Sequence, residues 1–172
     1  MSAAATPDPI DESRRQWIAH GWTDVADGMT LVTSLMRAHQ IMLARVDAVL
    51  RPFKLTFARY ELLMLLSFSK TGALPMSKAS ERLQVHPTST TNAVDRLEAA
   101  GLVQRLPHPR DGRTTLVKIT DAGRSLAAEA TDDLNQVVFG EPGLEGDSLS
   151  TLLELLADLR SAKPSRLKGS ES

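Results

Sequence analysis

The sequence predicts a mainly α-helical protein with one small β-hairpin. Apolar residues recur at helical spacing over most of the 172-residue chain. Between Met76 and Thr120, two short helical patterns are followed at once by two β-rich runs. A chain of this length can bury a sizeable core, and it is too short for two ordinary domains. We therefore expect one domain in which helices flank a small hairpin.

The N-terminal third predicts three helices after a short tail. Residues 1–9 are small, polar and proline-containing, which is typical of a mobile tail. A short helix is expected from near Asp11 to His20, and a long amphipathic helix from Thr23 or Asp24 to Arg51. The long helix carries its apolar set at helical spacing: Leu31, Leu35, Met42, Val46 and Val49. Thr56 is expected to cap a leucine-rich third helix that runs through Ser67 and supports the following elements.

Two short helices are predicted next, with a turn between them. Ser77 can cap the first helix, whose apolar side is Ala79, Leu83 and Val85. Pro87 forces the preceding residue out of the helical region and suits the first position of a new helix. That second helix is expected to end at Gly101.

The second helix begins with polar residues that are poor helix formers: Thr88, Ser89, Thr90, Thr91 and Asn92. Short hydroxyl and amide side chains at this position can contact base edges and phosphates in the major groove of DNA. A solvated polar face without a function is the alternative.

The hairpin favours the first interpretation. Its β-rich runs, residues 102–106 and 114–119, flank a long loop that carries Arg110 and Arg113 outward. Arginines on a projecting arm suit the narrow, electronegative minor groove. Asp111 could pair with Arg113 and orient its guanidinium. Helix, turn, helix and basic hairpin together predict a winged helix-turn-helix, a fold that reads DNA.

The C-terminal part predicts two more helices. One runs from Asp121 to about Phe139, and the other begins at Ser148 after a glycine- and proline-containing break. The last helix has more leucines than a small lobe needs to bury: Leu149, Leu152, Leu153, Leu155, Leu156 and Leu159. The surplus indicates self-association, and an ordinary intramolecular core is the alternative.

Charge is distributed unevenly in a chain whose net charge is −1. Residues 76–118 contain seven basic and four acidic side chains, whereas residues 119–160 contain two basic and nine acidic ones. A local basic surplus is the electrostatic footprint of nucleic-acid binding. It coincides with the predicted winged helix-turn-helix.

Other function classes are excluded by what the sequence lacks. There is no cysteine for disulfides, thiolate metal sites or redox sensing, and no apolar run is long enough to span a membrane. Phosphate-binding loops and nucleophile elbows are missing, and the four histidines are far apart. We therefore expect a cytoplasmic protein that is not an enzyme and needs no metal or cofactor. A metal-responsive regulator that uses His39 with nearby carboxylates stays open as an alternative.

These residues resemble the MarR family of bacterial transcription regulators. Three motifs carry the resemblance: T-x-x-V-D-R-L-E-x-x-G-L-V at Thr91–Val103, P-x-P-R-D-G-R at Pro107–Arg113, and V-K-I-T-D-A-G at Val117–Gly123. The sequence departs from the family pattern at His108, where an aspartate is usual, and at Asn92, where an arginine is frequent. The base preference of this chain is therefore expected to be its own.

The resemblance implies a homodimer with dimerisation helices at both ends. Residues 10–55 would form the N-terminal helices and ligand cleft, 56–120 the DNA-binding lobe and 121–163 the C-terminal dimerisation helices, all in one domain; residues 164–172 would form a second mobile tail. Two recognition helices on one face of the duplex lie roughly 34–36 Å apart, which predicts an inverted-repeat operator. The DNA-binding residues expected are Ser77, Lys78, Pro87, Thr88, Ser89, Thr90, Thr91, Asn92, Arg96, Arg110, Asp111 and Arg113.

The resemblance also implies a small-molecule effector. A repressor would release double-stranded DNA when a small aromatic or acidic ligand, such as an acyl thioester, binds in the cleft. Candidate ligand-binding residues are Trp17, Trp22, Arg37, His39, Arg45, Arg59 and Tyr60. The two tryptophans could instead only anchor the first helix on the body of the protein, and a DNA-binding protein without an effector is a further alternative.

Overall fold

The computed structural model describes residues 8–109 and 111–162. The chain divides into two compact units, Met1–Leu134 and Asn135–Ser172. The first contains six helices and three strands among its described residues. The predicted mainly α-helical fold with a β wing is confirmed, and the expected single domain stays a prediction.

The first unit begins with two packed helices, α1 (Pro9–Ala19) and α2 (Thr23–Leu50). The prediction that the tail extends to residue 9 is wrong, because the carboxylate of Asp8 accepts a hydrogen bond from the amide of Ile10 at 2.9 Å. This cap, with proline at the first helical position, starts the helix earlier. The rest of the predicted N-terminal tail and all of the predicted C-terminal one lie outside the described residues.

Three further helices build the predicted helix-turn-helix: α3 (Phe57–Ser67), α4 (Met76–Leu83) and α5 (Pro87–Ala99). Ser77 does not cap α4, because the helix begins one residue earlier with Pro75 at the cap position. Thr56 is the cap residue of α3, but its hydroxyl accepts from Nε of Arg59 at 3.2 Å and caps no backbone amide. α4 ends at Leu83, and the cap residue Gln84, whose left-handed backbone has φ of 54°, turns the chain towards α5.

The β-structure is larger than the sequence predicts. β2 (Val103–His108) and β3 (Asp111–Ile119) form the hairpin, so the predicted long loop is wrong: the strands extend well into it. A third strand, β1 (Ala73–Pro75), pairs antiparallel with β3, giving the sheet order β1-β3-β2. Pro107 is tolerated because β2 is an edge strand, and an irregularity in the pairing follows it.

The helix α6 (Asp121–Leu134) follows the sheet through a tight junction. The hydroxyl of Thr120 donates to the carbonyl of Gly101 at 2.8 Å and accepts from the amide of Gly123 at 3.1 Å. A Cβ on Gly123 would lie 2.2 Å from the carbonyl oxygen of Leu102, so only glycine fits there. This explains the glycine of the third motif.

The core of the first unit lies beneath α5 and the sheet. Its fully buried large side chains come from α2, α3, α5, α6 and strands β2 and β3: Leu50, Leu62, Leu63, Leu66, Leu97, Leu134, Val94, Val103 and Val117. Of the predicted apolar set of α2, Val46 is buried, whereas Leu31 and Leu35 are exposed. The long helix therefore contributes its C-terminal half to this core.

The second unit contains a π-helical turn, Asn135–Phe139, and α7 (Gly146–Ser161). The predicted helix end at Phe139 is thus reached with a change of helix type, and α7 begins two residues before Ser148. None of the described residues of α7 is buried. No helix in the described part of the chain is long and apolar enough to cross a membrane.

Candidate nucleic-acid interface

The helix α5 presents a polar face to solvent. Pro87, Thr88, Ser89, Thr91, Asn92 and Arg96 are all exposed, as expected for residues that contact DNA. Thr90 is the exception, since its side chain is only 1% exposed. It lies one turn before Val94 and two before Leu97, on the buried side of the helix. The prediction that Thr90 contacts DNA is therefore wrong.

A histidine holds the start of α5. The ring Nδ1 of His86 accepts from the amide of Thr88 at 3.2 Å, and the backbone carbonyl of His86 accepts from the amide of Ser89 at 2.9 Å. The hydroxyl of Thr91 donates back to the carbonyl of Pro87 at 3.0 Å. Hydrogen bonds within the chain thus fix the first turn of α5, and the sequence interpretation missed the role of His86.

The wing turn is braced by Asp111, although not as predicted. Its carboxylate accepts from the hydroxyl of Thr114 at 2.7 Å and from the backbone amide of Arg113 at 3.0 Å. These two bonds hold the pKa of Asp111 below its ordinary value. No ion pair between Asp111 and the Arg113 guanidinium occurs among the described residues. Asp111 fixes the backbone of the turn, and Arg113 is exposed.

The helix and the wing meet around an open cavity of about 500 Å³. It is lined by residues of α4, α5 and both wing strands: Met76, Ser77, Thr91, Arg105, Arg113, Thr114 and Thr115. We call the exposed residues of α5 together with Arg113–Thr115 the α5–wing face. This face combines hydroxyl, amide and guanidinium groups, the chemistry that contacts base edges and phosphates.

Lys78 and Arg110 complete the predicted set. The ammonium of Lys78 pairs with Glu81 at 2.8 Å within α4, with both side chains more than half exposed. A surface pair of this kind is weak, so Lys78 can exchange it for a phosphate. Arg110 lies outside the described residues.

Comparison with known proteins identifies the family. A model of the MarR family matches residues 55–115. Sco5413, a MarR family transcriptional regulator from Streptomyces coelicolor, is 51% identical, with a TM-score of 0.72 over 78% of this chain and 93% of that one. The chain belongs to the MarR family.

Two further relatives extend the comparison. The multiple antibiotic resistance protein MarR of Escherichia coli is 30% identical over 113 residues, covering 64% of this chain and 77% of MarR. A MarR mutant in complex with operator DNA matches with a TM-score of 0.71, 25% identity and coverage of 78% of this chain and 96% of that one.

The second relative is BpsR of Bordetella bronchiseptica, whose DNA binding is regulated by 6-hydroxynicotinic acid. It matches with a TM-score of 0.69, 25% identity and coverage of 76% of this chain and 93% of that one.

The chain spans about half the length of the first curated relatives that it matches.

The ligand residues expected from the MarR resemblance are not brought together in one chain. At about 1.5 Å per residue, α2 separates Trp22 from Arg45 by about 35 Å. Arg37 and His39 are exposed on the middle of α2. Arg59 donates to the carbonyl of Lys54 at 3.1 Å. These residues cannot all contact one small molecule within a single subunit.

Tyr60 and the tryptophans have partners inside the protein. Tyr60 is 5% exposed, and its hydroxyl lies 3.0 Å from the hydroxyl of Thr131 on α6. The rings of Trp17 and Trp22 meet edge to face at 5.2 Å, and His20 stacks on Trp22 at 5.6 Å. These contacts favour the alternative in which the tryptophans anchor α1 on α2.

Proposed function

We propose that this chain is a sequence-specific, dimeric DNA-binding repressor that leaves an inverted-repeat operator when a small aromatic or acidic ligand binds. One observation carries the proposal: the α5–wing face presents a braced recognition helix beside an exposed wing arginine. Arg113 and Thr91 line the same open cavity, so a helix in the major groove brings the wing towards the neighbouring minor groove. MarR in complex with operator DNA supports the same use of this fold.

Exposed apolar side chains support the dimer. On α2 they are Val25, Leu31, Val32, Leu35, Met36, Ile41 and Leu43, which we call the α2 apolar face, and on α7 they are Leu152, Leu153, Leu155 and Leu159. Apolar rows of this size commonly mark contact sites between proteins. A two-fold dimer would place one α5 in each half of an inverted repeat.

BpsR supports the choice of ligand class, because the compound that regulates it is an aromatic acid. A ligand acts only through its different affinities for the DNA-binding state and the released state. No group of three or more potential metal ligands occurs within residues 8–109 and 111–162, so no observation favours the metal-responsive alternative.

The test uses a DNA duplex that the wild-type protein selects from a random-sequence library. Arg113→Ala should lower affinity for that duplex by about 1–3 kcal/mol and reduce the dependence of binding on salt by about one unit. Lys118→Gln is the matched control, since it removes one positive charge from the exposed side of the same hairpin. Unchanged binding by the Arg113 variant would remove the wing from the proposal.

Two further measurements test the dimer and the ligand. Removal of residues 148–172 should give monomers in light scattering, and a dimer that persists would place the interface elsewhere. Aromatic carboxylates, beginning with 6-hydroxynicotinic acid, should release the selected duplex in a gel-shift titration. DNA binding that no aromatic or acidic compound alters would favour the effector-independent alternative.

A further inference from the structure

Arg105 of β2 joins the wing to the recognition helix through two carboxylates. Its backbone amide donates to Oε1 of Glu98 at 2.8 Å, and its guanidinium donates to the other carboxylate oxygen of Glu98. The same guanidinium donates to Oδ1 of Asp95 at 2.5 Å. We call these three residues the Arg105 clasp. The hydrogen bonds from Arg105 lower the pKa of Glu98 below its ordinary value.

The geometry of the clasp restricts the wing. Asp95 and Glu98 lie three residues apart on one side of α5, so they hold the guanidinium at two points. Guanidinium is a planar, rigid fork, and two-point attachment fixes its orientation as well as its distance. Arg105 is 29% exposed, and its charge is compensated by two acids. It is therefore poorly suited to act as a phosphate contact.

The clasp lies at the base of the wing, and Arg113 lies towards its tip. Arg105 pairs with Val117 across the hairpin, and Arg113 is four residues nearer the turn. Four residues of strand span about 13 Å, so a small rotation at the clasp becomes a larger displacement at Arg113. Arg105, Arg113 and Thr91 also line one cavity.

We propose that Arg105 is a positioning residue that sets the angle between α5 and the wing, so that Arg113 reaches DNA when α5 occupies the major groove. The inference rests on the proposed function, because it assumes that α5 and the wing bind one duplex. Glu98 and Asp95 share the role, although both carry a charge that repels phosphate. The clasp thus accounts for two acidic residues on a helix that is expected to approach DNA.

The competing explanation is purely electrostatic, and for one variant it predicts a change in DNA affinity of the opposite sign. If these residues acted only through the field at the DNA, Arg105→Gln would weaken binding and Glu98→Ala would strengthen it. If they position the wing, both substitutions weaken binding, by about fivefold or more on the selected duplex. Alanine is the best helix former, so Glu98→Ala does not weaken α5 through helix propensity.

Two matched controls isolate the clasp from charge alone. Glu81→Ala removes an acid from α4 whose ion pair, within the described part of the chain, is with Lys78. Lys118→Gln removes a positive charge from β3 on the same hairpin. Glu81→Ala should change DNA affinity less than Glu98→Ala, which also removes one negative charge. Lys118→Gln should change it less than Arg105→Gln, which also removes one positive charge. A Glu98 variant that binds as tightly as the wild type, or more tightly, would overturn the inference.

A double-mutant cycle with Arg113→Ala provides the decisive measurement. If the clasp acts through the wing, the Arg105→Gln and Arg113→Ala losses should overlap, and the double variant should bind about as weakly as Arg113→Ala alone. If the fold losses of affinity in the two single variants multiply in the double variant, the positioning role is overturned. Should Arg105→Gln unfold, as judged by circular dichroism, the Glu98→Ala cycle decides the question in the same way.

The outcomes separate this inference from the proposed function. A wild-type protein that selects no duplex would overturn both. A second outcome is that the protein selects a duplex and binds it through Arg113, while the effects of Arg105 and Arg113 on affinity are independent. That outcome would overturn the positioning role of the clasp and leave the repressor proposal standing.

Discussion

The α5–wing face and the α2 apolar face differ in how their exposed side chains are held. On the α5–wing face, hydrogen bonds accepted by His86 and Asp111 fix the helix start and the turn, and those donated by Arg105 fix the base of the hairpin. On the α2 apolar face, the exposed side chains are valine, leucine, isoleucine and methionine, and they extend from Val25 to Leu43. Within one chain, hydrogen bonds hold the first face in place, whereas the second face leaves apolar surface exposed to water. A single subunit therefore completes its DNA-reading geometry but not its apolar packing.

The largest effect is expected in the core beneath the α5–wing face. Leu62 of α3 is fully buried, so Leu62→Ala should lower the free energy of unfolding by about 2–5 kcal/mol. Leu31→Ala is the control in the monomeric chain, because Leu31 is 56% exposed there. Urea unfolding below the dimer dissociation constant measures both, so that burial of Leu31 at the proposed dimer contact does not enter. Equal losses would mean that the two leucines are equally buried in solution, and the contrast between the faces would disappear.

The second effect concerns the α2 apolar face itself. The double substitution Leu31→Asp and Leu35→Asp should raise the dimer dissociation constant by about 30-fold or more, the loss expected from a hot spot of about 2 kcal/mol. Gln40→Asp, a polar position on the same helix, should change it much less. Analytical ultracentrifugation reports the result. A dimer of unchanged strength would assign these leucines to ordinary exposed surface.

A smaller change in the free energy of unfolding is expected from a substitution at the turn before α5. Gln84 has φ of 54°, a left-handed conformation that costs a residue with a side chain about 1 kcal/mol relative to glycine. Gln84→Gly should therefore stabilise the protein by up to about 1 kcal/mol in urea unfolding. Lys54→Gly tests the same reasoning at φ of 55° before α3. Destabilisation by both would show that the glutamine and lysine side chains make contacts worth more than the backbone strain.

The smallest effect is expected at the wing turn. Thr114→Val removes the largest cause of the lowered pKa of Asp111, which should rise towards its ordinary value. Because the native pKa is lowered, this carboxylate stabilises the fold above about pH 4, and the contribution is lost as the pH falls through the native pKa. Carboxyl NMR titration of both proteins measures the shift. A pKa of Asp111 that is identical in the two proteins would contradict the bracing role of Thr114.

Elements with a local signal could be predicted from the sequence. Proline at the start of α5, glycine after its end and the β-rich runs of the hairpin each depend on nearby residues. Strand β1 could not be predicted in this way, because Ala73 pairs with Lys118, far along the chain. Three residues without alternation carry no signal of their own, and the partner strand decides their conformation.

The candidate site was predictable to a similar extent. The exposed polar residues of α5 follow from composition, but the burial of Thr90 required attention to helical period: Thr90, Val94 and Leu97 form one buried row. The Arg105 clasp has a weak signal, an acid pair on a helix followed by an arginine on the next strand. The ligand candidates failed to converge because their selection used residue type and family likeness, which do not specify distance along a long helix.

Both outer strands of the wing sheet contain a proline, Pro75 in β1 and Pro107 in β2, whereas the central strand β3 has none. Proline has no N–H to offer to an added strand, so neither edge is a good template for the backbone of another chain. The wing of one chain is thereby discouraged from joining the wing of another chain edge to edge. The two prolines thereby keep the sheet from growing by the addition of a further strand.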